Sequence, residues 1–154
     1  MRLLFLAVLI NVAAHAQNVG DIVFDPKTDD PKFQLCNPDN IWQSYYLKSV
    51  QDETSIMVRK AFATRYTYNE VWANDSGIIR IRFVVNCSGI ADRFRLLELD
   101  QHLKPGHFTN ALKTHLMTIT KSIQWPTRRA REQTVDYYHH FSVRIDGGKI
   151  EIVQ

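Results

Sequence analysis

Histidine side chains are the residues of this sequence that could bind a metal ion. A zinc site needs three or four ligands that converge in space, but His139 and His140 are adjacent in a predicted strand and therefore point to opposite faces. His115 lies within the apolar stripe of a predicted helix, so we expect a partly buried core residue there. The sequence therefore predicts no metal site and no cofactor.

Nucleophilic catalysis would need a base beside the nucleophile and a third group that orients the base. Cys87 follows Asn86 in a predicted turn without the signature of a cysteine hydrolase, and Ser88 lacks the strand-to-helix pattern of a nucleophile elbow. The Asp-Gly-Gly sequence near the end is typical of a hairpin turn and not of a phosphate-binding loop. We predict that the chain is not an enzyme.

The two cysteines, Cys36 and Cys87, offer a different chemistry. In an oxidising compartment they could form one disulfide across a loop of about 50 residues and stabilise the fold by a few kcal/mol. Two unpaired thiols, one of them in a turn, are the alternative. The sequence leaves both open.

The first sixteen residues have the pattern of a secretory signal peptide. One arginine precedes an apolar run from Leu3 to Ala14, and Ala14 and Ala16 occupy the small-residue positions of an A-x-A cleavage site. The run is shorter than the roughly 20 residues that a membrane-spanning helix needs. We expect cleavage before Gln17, export, and no membrane span in the mature chain.

Composition narrows the class of partner only slightly. The 154 residues are 45% hydrophobic and 23% charged, which is ordinary for a globular domain. The formal net charge is +3, and the basic residues cluster only at Arg128, Arg129 and Arg131. Because a DNA-binding domain usually concentrates basic charge on one face, we expect no nucleic-acid partner.

The elements that must position these side chains begin with helices. An extended leader is predicted at 17–32. Asn37 is a good N-cap residue and Pro38 suits the first helical position, so a helix is predicted through Tyr46. Further helices are predicted at about 55–65 and 68–73.

The pattern of the second half of the sequence predicts strands around one amphipathic helix. In "GIIRIRFVVNCSG", Gly77 to Gly89, apolar residues alternate with arginines, and Arg93 to Leu99 is the hairpin partner. The stripe of apolar residues from Phe108 to Ile123 predicts a helix. A long strand containing His139 to Ile145 follows, and a turn leads to the short last strand "KIEIV".

This order predicts an α+β fold, with a small antiparallel sheet of three to four strands packed by helices on one face and an N-terminal helical extension. The other face, with Arg80, Arg82, Ser142 and Arg144, is expected to meet water. The predicted domains are a signal peptide at 1–16, the extension at 17–65 and a second domain at 66–154.

The second domain resembles the TonB C-terminal domain family. "GIIRIRFVVNCSG" is similar to the family's first strand and turn, and "HHFSVRIDGGKIEI" is similar to its closing strand. The helix that ends at Trp125 and Pro126 resembles the family's helix before an aromatic, proline-containing segment. Tyr66 lies where family members often have Tyr-Pro, with Thr67 in place of the proline. The resemblance covers about 66–154.

The resemblance implies a periplasmic protein-binding module. TonB-like domains accept a short receptor segment at a sheet edge by β-strand addition, so the implied partner is a segment of an envelope or outer-membrane transport protein. An exposed edge also makes a homodimer possible. A full TonB has a membrane anchor and a proline-rich spacer, so we expect an adaptor here and not an energy transducer. The matching partner-binding residues are His139, His140, Phe141, Ser142, Val143, Arg144 and Ile145.

Two other functions stay open. A periplasmic small-ligand-binding protein or enzyme would use a pocket between helix and sheet, lined by Trp42, Tyr137 and His139. A structural role in an envelope assembly would depend on the extension. An exposed terminal strand favours the protein-binding module, whereas a concave pocket with convergent polar groups favours the ligand-binding protein.

Overall fold

The computed structural model describes residues 22–47 and 51–153, without the side chains of Gln51 and Asp52. The predicted signal peptide lies outside the described residues. Within them, two helices, a mixed five-stranded sheet and a second sheet of two short strands form an α+β fold. This confirms the predicted fold class, although the sheet is larger than predicted. No helix in these two ranges is long and apolar enough to cross a membrane.

The described residues form seven strands and two helices, together with two single 3₁₀ turns, Ser44–Tyr46 and Glu70–Trp72. In chain order the elements are β1 (Trp42–Gln43), α1 (Gln51–Arg65), β2 (Gly77–Val85), β3 (Ala91–Leu99), α2 (Asn110–Lys121), β4 (Arg128–Ala130), β5 (Gln133–Val135), β6 (Tyr137–Asp146) and β7 (Lys149–Val153).

The main sheet is built around β2 and β6, which pair antiparallel over nine residues. β3 pairs with the other side of β2, so the predicted hairpin is confirmed. The far side of β6 is shared: β1 lies parallel to its first two residues, and β7 lies antiparallel to its last five. Gly147 and Gly148 form the turn from β6 to β7 at φ 54° and 75°, the left-handed conformations that a two-residue hairpin turn requires.

The core lies between this sheet and the two helices. Alternate residues of β2 and β6, such as Ile81, Phe83 and Phe141, are buried under Leu112 and Leu116 of α2. α2 begins two residues later than the apolar stripe predicts. The Oγ1 of Thr109 caps the helix by accepting from the Leu112 N–H.

The helix predicted at 38–46 is wrong. The chain instead turns at 38–39, extends as β1 and closes in the turn Ser44–Tyr46. The main-chain N–H of Asn37 donates to the Asp136 carboxylate at 2.6 Å, and the N–H of Trp42 donates to the Asp136 carbonyl at 2.9 Å. Pairing with the start of β6 therefore replaces the helical hydrogen bonds. The helix predicted at 68–73 is a single turn.

A disulfide joins Cys36 of the extension to Cys87 in the turn between β2 and β3. The buried carboxylate of Asp136 lies between the two segments, because it accepts from the N–H of Cys87 at 2.8 Å as well as from Asn37. Extension, turn and β6 are thus fixed together by one covalent bond and a shared acceptor.

The extension also covers one end of the sheet face that lies opposite the helices. Ile22 packs there on Val84 and Tyr138, with Phe33 and Leu35 beside them. This part of the face does not meet water. Farther along the face, Arg80 and Arg144 are exposed as predicted and Arg82 is half-buried, whereas Ser142 is buried, contrary to the prediction.

Asp29 connects the extension to β3 through an ion pair. Its buried carboxylate accepts from Arg95 at 2.7 Å, and this hydrogen bond lowers the pKa of Asp29 from 3.8 to about 2. Because the pKa is lower in the folded state, the stabilisation is complete above pH 3.8 and is lost as the pH falls towards 2.

We expect Asp29→Asn to lower the free energy of unfolding by about 1.5–3 kcal/mol at pH 7, the usual contribution of a hydrogen bond to a charged group. Urea unfolding at several pH values measures the difference between variant and wild type, which should shrink between about pH 4 and pH 2. A difference that stays constant over this range would contradict the assigned pKa.

Candidate binding surface

The strand predicted to bind a partner, 139–145, is not at an edge of the sheet. β2 pairs with it on one side along its whole length, and β7 pairs with its last residues on the other side. β1 covers the two residues that precede it. An incoming strand would have to displace part of the fold to reach β6. The affected residues are His139, His140, Phe141, Ser142, Val143, Arg144 and Ile145.

The side chains of this strand are divided between the two faces of the sheet. Phe141, Val143 and Ile145 are buried in the core, whereas His140 and Arg144 are exposed on the opposite face. None of the three core side chains can contact a partner in the folded domain.

His139 is buried beside the first 3₁₀ turn. Its Nδ1 lies 3.1 Å from the Oγ of Ser44, and burial lowers its pKa to about 3. Tyr137, also buried, donates its hydroxyl to the Pro126 carbonyl at 2.6 Å. Trp42 packs against the same core. The three residues predicted to line a ligand pocket, Trp42, Tyr137 and His139, therefore pack into the protein interior.

Two of the outer strands of the sheet, β3 and β7, differ in how open their edges are. On β3, the carbonyl of Phe94 accepts from the Arg95 side chain at 2.9 Å, and the carbonyl of Glu98 accepts from the N–H of Gly106 at 3.0 Å. A bulge in which Arg93 has φ 57° interrupts the same strand. These are the features that natural proteins use to protect an edge from pairing.

β7 lacks such protection. The two-residue turn makes Asp146 and Lys149 a hydrogen-bonded pair, so the main-chain groups of Ile150 and Ile152 point away from β6. Within 22–47 and 51–153, no hydrogen bond from another segment reaches either residue. β7 therefore presents an unpaired edge.

A groove of about 280 Å³ runs between this edge strand and α1. The side chains of Ile150 and Ile152 form one wall, on the face of β7 that is turned towards the helices. The other wall is one face of α1 together with the residue that follows the helix, at i, i+3, i+4 and i+7 spacing. Its residues are Arg59, Phe62, Ala63 and Tyr66.

Two contacts hold the helical wall of the groove in place. Phe62 is 1% exposed and packs edge-on against Phe141 of β6 at 5.7 Å between ring centroids. The hydroxyl of Tyr66 donates to the carbonyl of Gly148 in the turn before β7, and burial raises the pKa of Tyr66 to about 12. A fixed groove with an apolar lining beside an open edge can bind an extended polypeptide.

Sequence reasoning missed this surface because α1 has no continuous apolar stripe to mark it. The short alternation of "KIEIV" and its position as the last strand were the available signals. They identify a strand, but which of its sides lacks a neighbour depends on the sheet order.

Comparisons of the chain with protein-family models, curated proteins and solved structures find no match.

Proposed function

We propose that this chain is an exported, periplasmic protein-binding module that accepts an extended segment of a partner protein along β7. The observation that carries the proposal is the open edge of β7 beside the groove of α1. Main-chain hydrogen bonds to Ile150 and Ile152 would supply affinity, and alternate side chains of the partner would enter the groove and supply selection.

The resemblance to the TonB C-terminal domain family supports the class of partner, a segment of an envelope or outer-membrane transport protein. The position of the contact differs from the one that the resemblance implies, because β7 occupies the side of β6 that a partner strand would use. The disulfide between Cys36 and Cys87 is in keeping with export to an oxidising compartment. We assign the module no catalytic step.

The experiment places a photoreactive amino acid at Glu151 of β7 in the tagged chain and crosslinks it in its own cell envelope. Glu151 is exposed and its side chain lies outside the groove. The proposal expects crosslinks to a continuous segment of an envelope protein. A probe at Leu97 on β3, the protected edge, is the matched control and should capture much less.

Filling the groove should block the partner without changing the fold. Ala63 is exposed in the middle of the helical wall, so we expect Ala63→Trp to weaken capture at least about tenfold, which corresponds to about 1.4 kcal/mol of binding free energy. Ala111→Trp, at an exposed position of α2 away from the groove, should leave capture unchanged.

Three results would contradict the proposal. They are equal capture from the Glu151 and Leu97 probes, equal loss in Ala63→Trp and Ala111→Trp, and copurification of a small molecule without any crosslinked protein. Crosslinks only to a second copy of the chain would replace the envelope partner by a homodimer formed through β7.

A further inference from the structure

Three side chains of types that ligate metal ions meet where the extension joins the main sheet. Within the part of the chain that the structure describes, Cys36, Cys87 and Asp136 form the one group of three whose ligand atoms all lie within 4.8 Å of one another. They come from the extension, the turn between β2 and β3, and the residue before β6. The sequence predicts no metal site because its histidines do not converge, whereas these ligands are two sulfurs and a carboxylate that only the fold brings together.

The carboxylate of Asp136 is held in place beside the two sulfurs. It is fully buried, and each of its oxygens accepts one main-chain N–H, from Asn37 at 2.6 Å and from Cys87 at 2.8 Å. A carboxylate oxygen has two lone pairs, so each oxygen keeps one for a further partner. Hydrogen bonds of this kind orient the ligands of metal sites. Asp136 is therefore positioned to act as a ligand.

The spacing of the cysteines suits a zinc ion once the disulfide is open. Two sulfurs on one tetrahedral zinc ion are about 3.8 Å apart, compared with about 2 Å in any disulfide. The Cα atoms of Cys36 and Cys87 are 6.0 Å apart, so rotation of the two side chains can supply the difference without a shift of the main chain. Cys36 is exposed and Cys87 is half-buried, which gives a metal ion access from solvent.

We propose that Cys36, Cys87 and Asp136 bind a zinc ion when the disulfide is reduced. Thiolates favour zinc or copper(I), and the carboxylate oxygen favours zinc of these two ions. Three protein ligands with an open fourth position are a coordination that zinc adopts. The bound ion holds the extension to the turn and to β6 as the disulfide does, so the domain keeps this connection in both redox states. The site lies at the start of β6 and β7 pairs with its end, so the site is independent of the proposed partner edge.

Reduction opens the disulfide by exchange with a dithiol. One thiolate of the dithiol attacks the exposed sulfur of Cys36, and the bond to Cys87 breaks with release of the Cys87 thiolate. The second thiolate of the dithiol attacks the mixed disulfide and releases the Cys36 thiolate. The dithiol loses two electrons and becomes a cyclic disulfide, its two protons pass to solvent, and the two protein thiolates bind the zinc ion.

The test adds zinc to the purified full chain after reduction with dithiothreitol and removal of the reductant under nitrogen. Competition with a chromophoric zinc chelator measures stoichiometry and affinity. We expect one zinc ion per reduced chain and at least about tenfold weaker binding by the oxidised chain, whose sulfurs are bonded to each other. Cobalt(II) added to the reduced chain should give a thiolate-to-metal charge-transfer band that the oxidised chain lacks.

Three variants assign the ligands. Cys36→Ala/Cys87→Ala removes both sulfurs and keeps every histidine, so we expect at least about a hundredfold loss of zinc affinity. Asp136→Asn should weaken binding at least about tenfold, with circular dichroism to check that this buried variant folds. His102→Ala, in the exposed loop after β3, is the matched control and should bind zinc as wild type does.

Two results would overturn the proposal. One is zinc binding by the reduced chain that is no tighter than binding by the oxidised chain or by the double cysteine variant, since the histidines would then account for it. The other is unchanged affinity in a folded Asp136→Asn variant, since Asp136 would then not be a ligand.

Discussion

Val143→Pro is expected to unfold the domain. Val143 is fully buried in the middle of β6 and pairs with Ile79 of β2. Since Asp146 and Lys149 form the pair that closes the turn, odd-numbered residues of β6 direct their main-chain groups to β2. Proline removes that N–H donor and leaves the β2 acceptor unpaired, at a cost of about 1–3 kcal/mol, and the lost burial of valine adds about 1.5–3 kcal/mol.

The matched control is Ile152→Pro on β7. Its N–H points to the open side of the edge strand, where proline is tolerated. We expect a loss of at most about 2 kcal/mol, from the packing of a half-buried isoleucine. Urea unfolding followed by tryptophan fluorescence compares the two variants. Equal destabilisation by the two variants would contradict the sheet order, in which the N–H of Val143 pairs with β2 and the N–H of Ile152 has no strand beside it.

The pair of variants also bears on partner binding. Ile152→Pro removes one of the donors proposed for an incoming strand, so its crosslinking from the Glu151 probe should fall although the domain stays folded. Val143→Pro should lose crosslinking only because it loses the fold. A folded Val143→Pro variant that fails to bind would return the partner site to β6.

The sheet and its core follow from residue periodicity. The alternation in Gly77–Val85 places Ile79, Ile81 and Phe83 on one face, and the structure buries these three side chains completely. The stripe of α2 identifies the layer that covers them. Such patterns are local, because the side-chain period of a strand or helix is set within a few residues.

Strand order could not be predicted in the same way. Periodicity says which face of β6 is buried, but it does not say which strands lie beside β6. β1 pairs with β6 although about 95 residues separate them, and it is held there by Asp136 and the disulfide. The sequence around Asn37 favours a helix start by local rules, and these distant contacts override that preference.

The groove could not be predicted from the sequence for a related reason. Its helical wall ends at Tyr66, which lies one residue beyond α1 and is placed by a hydrogen bond to Gly148. Its other wall is a strand of only five residues. Neither wall alone indicates a binding surface. The two walls form a groove beside an open edge only because β7 lies at the edge of the sheet.

Removing the disulfide is the second large effect that we expect. Cys36 and Cys87 are 51 residues apart in sequence, and closing a loop of that length lowers the entropy of the unfolded chain by an amount worth about 4 kcal/mol. The double variant Cys36→Ala/Cys87→Ala should therefore lose about 4 kcal/mol of unfolding free energy, measured by urea unfolding.

Two contacts should keep the folded structure in place without the disulfide, so the loss of unfolding free energy mainly reports the change in the unfolded chain. Asp136 still accepts hydrogen bonds from both flanking segments, and Ile22 still packs on Val84 and Tyr138. The native circular dichroism spectrum should thus persist in the double variant. Wild type treated with dithiothreitol should match the variant, and the variant should not respond to the reductant. A reductant-insensitive wild type would mean that the two thiols are free in the protein as isolated.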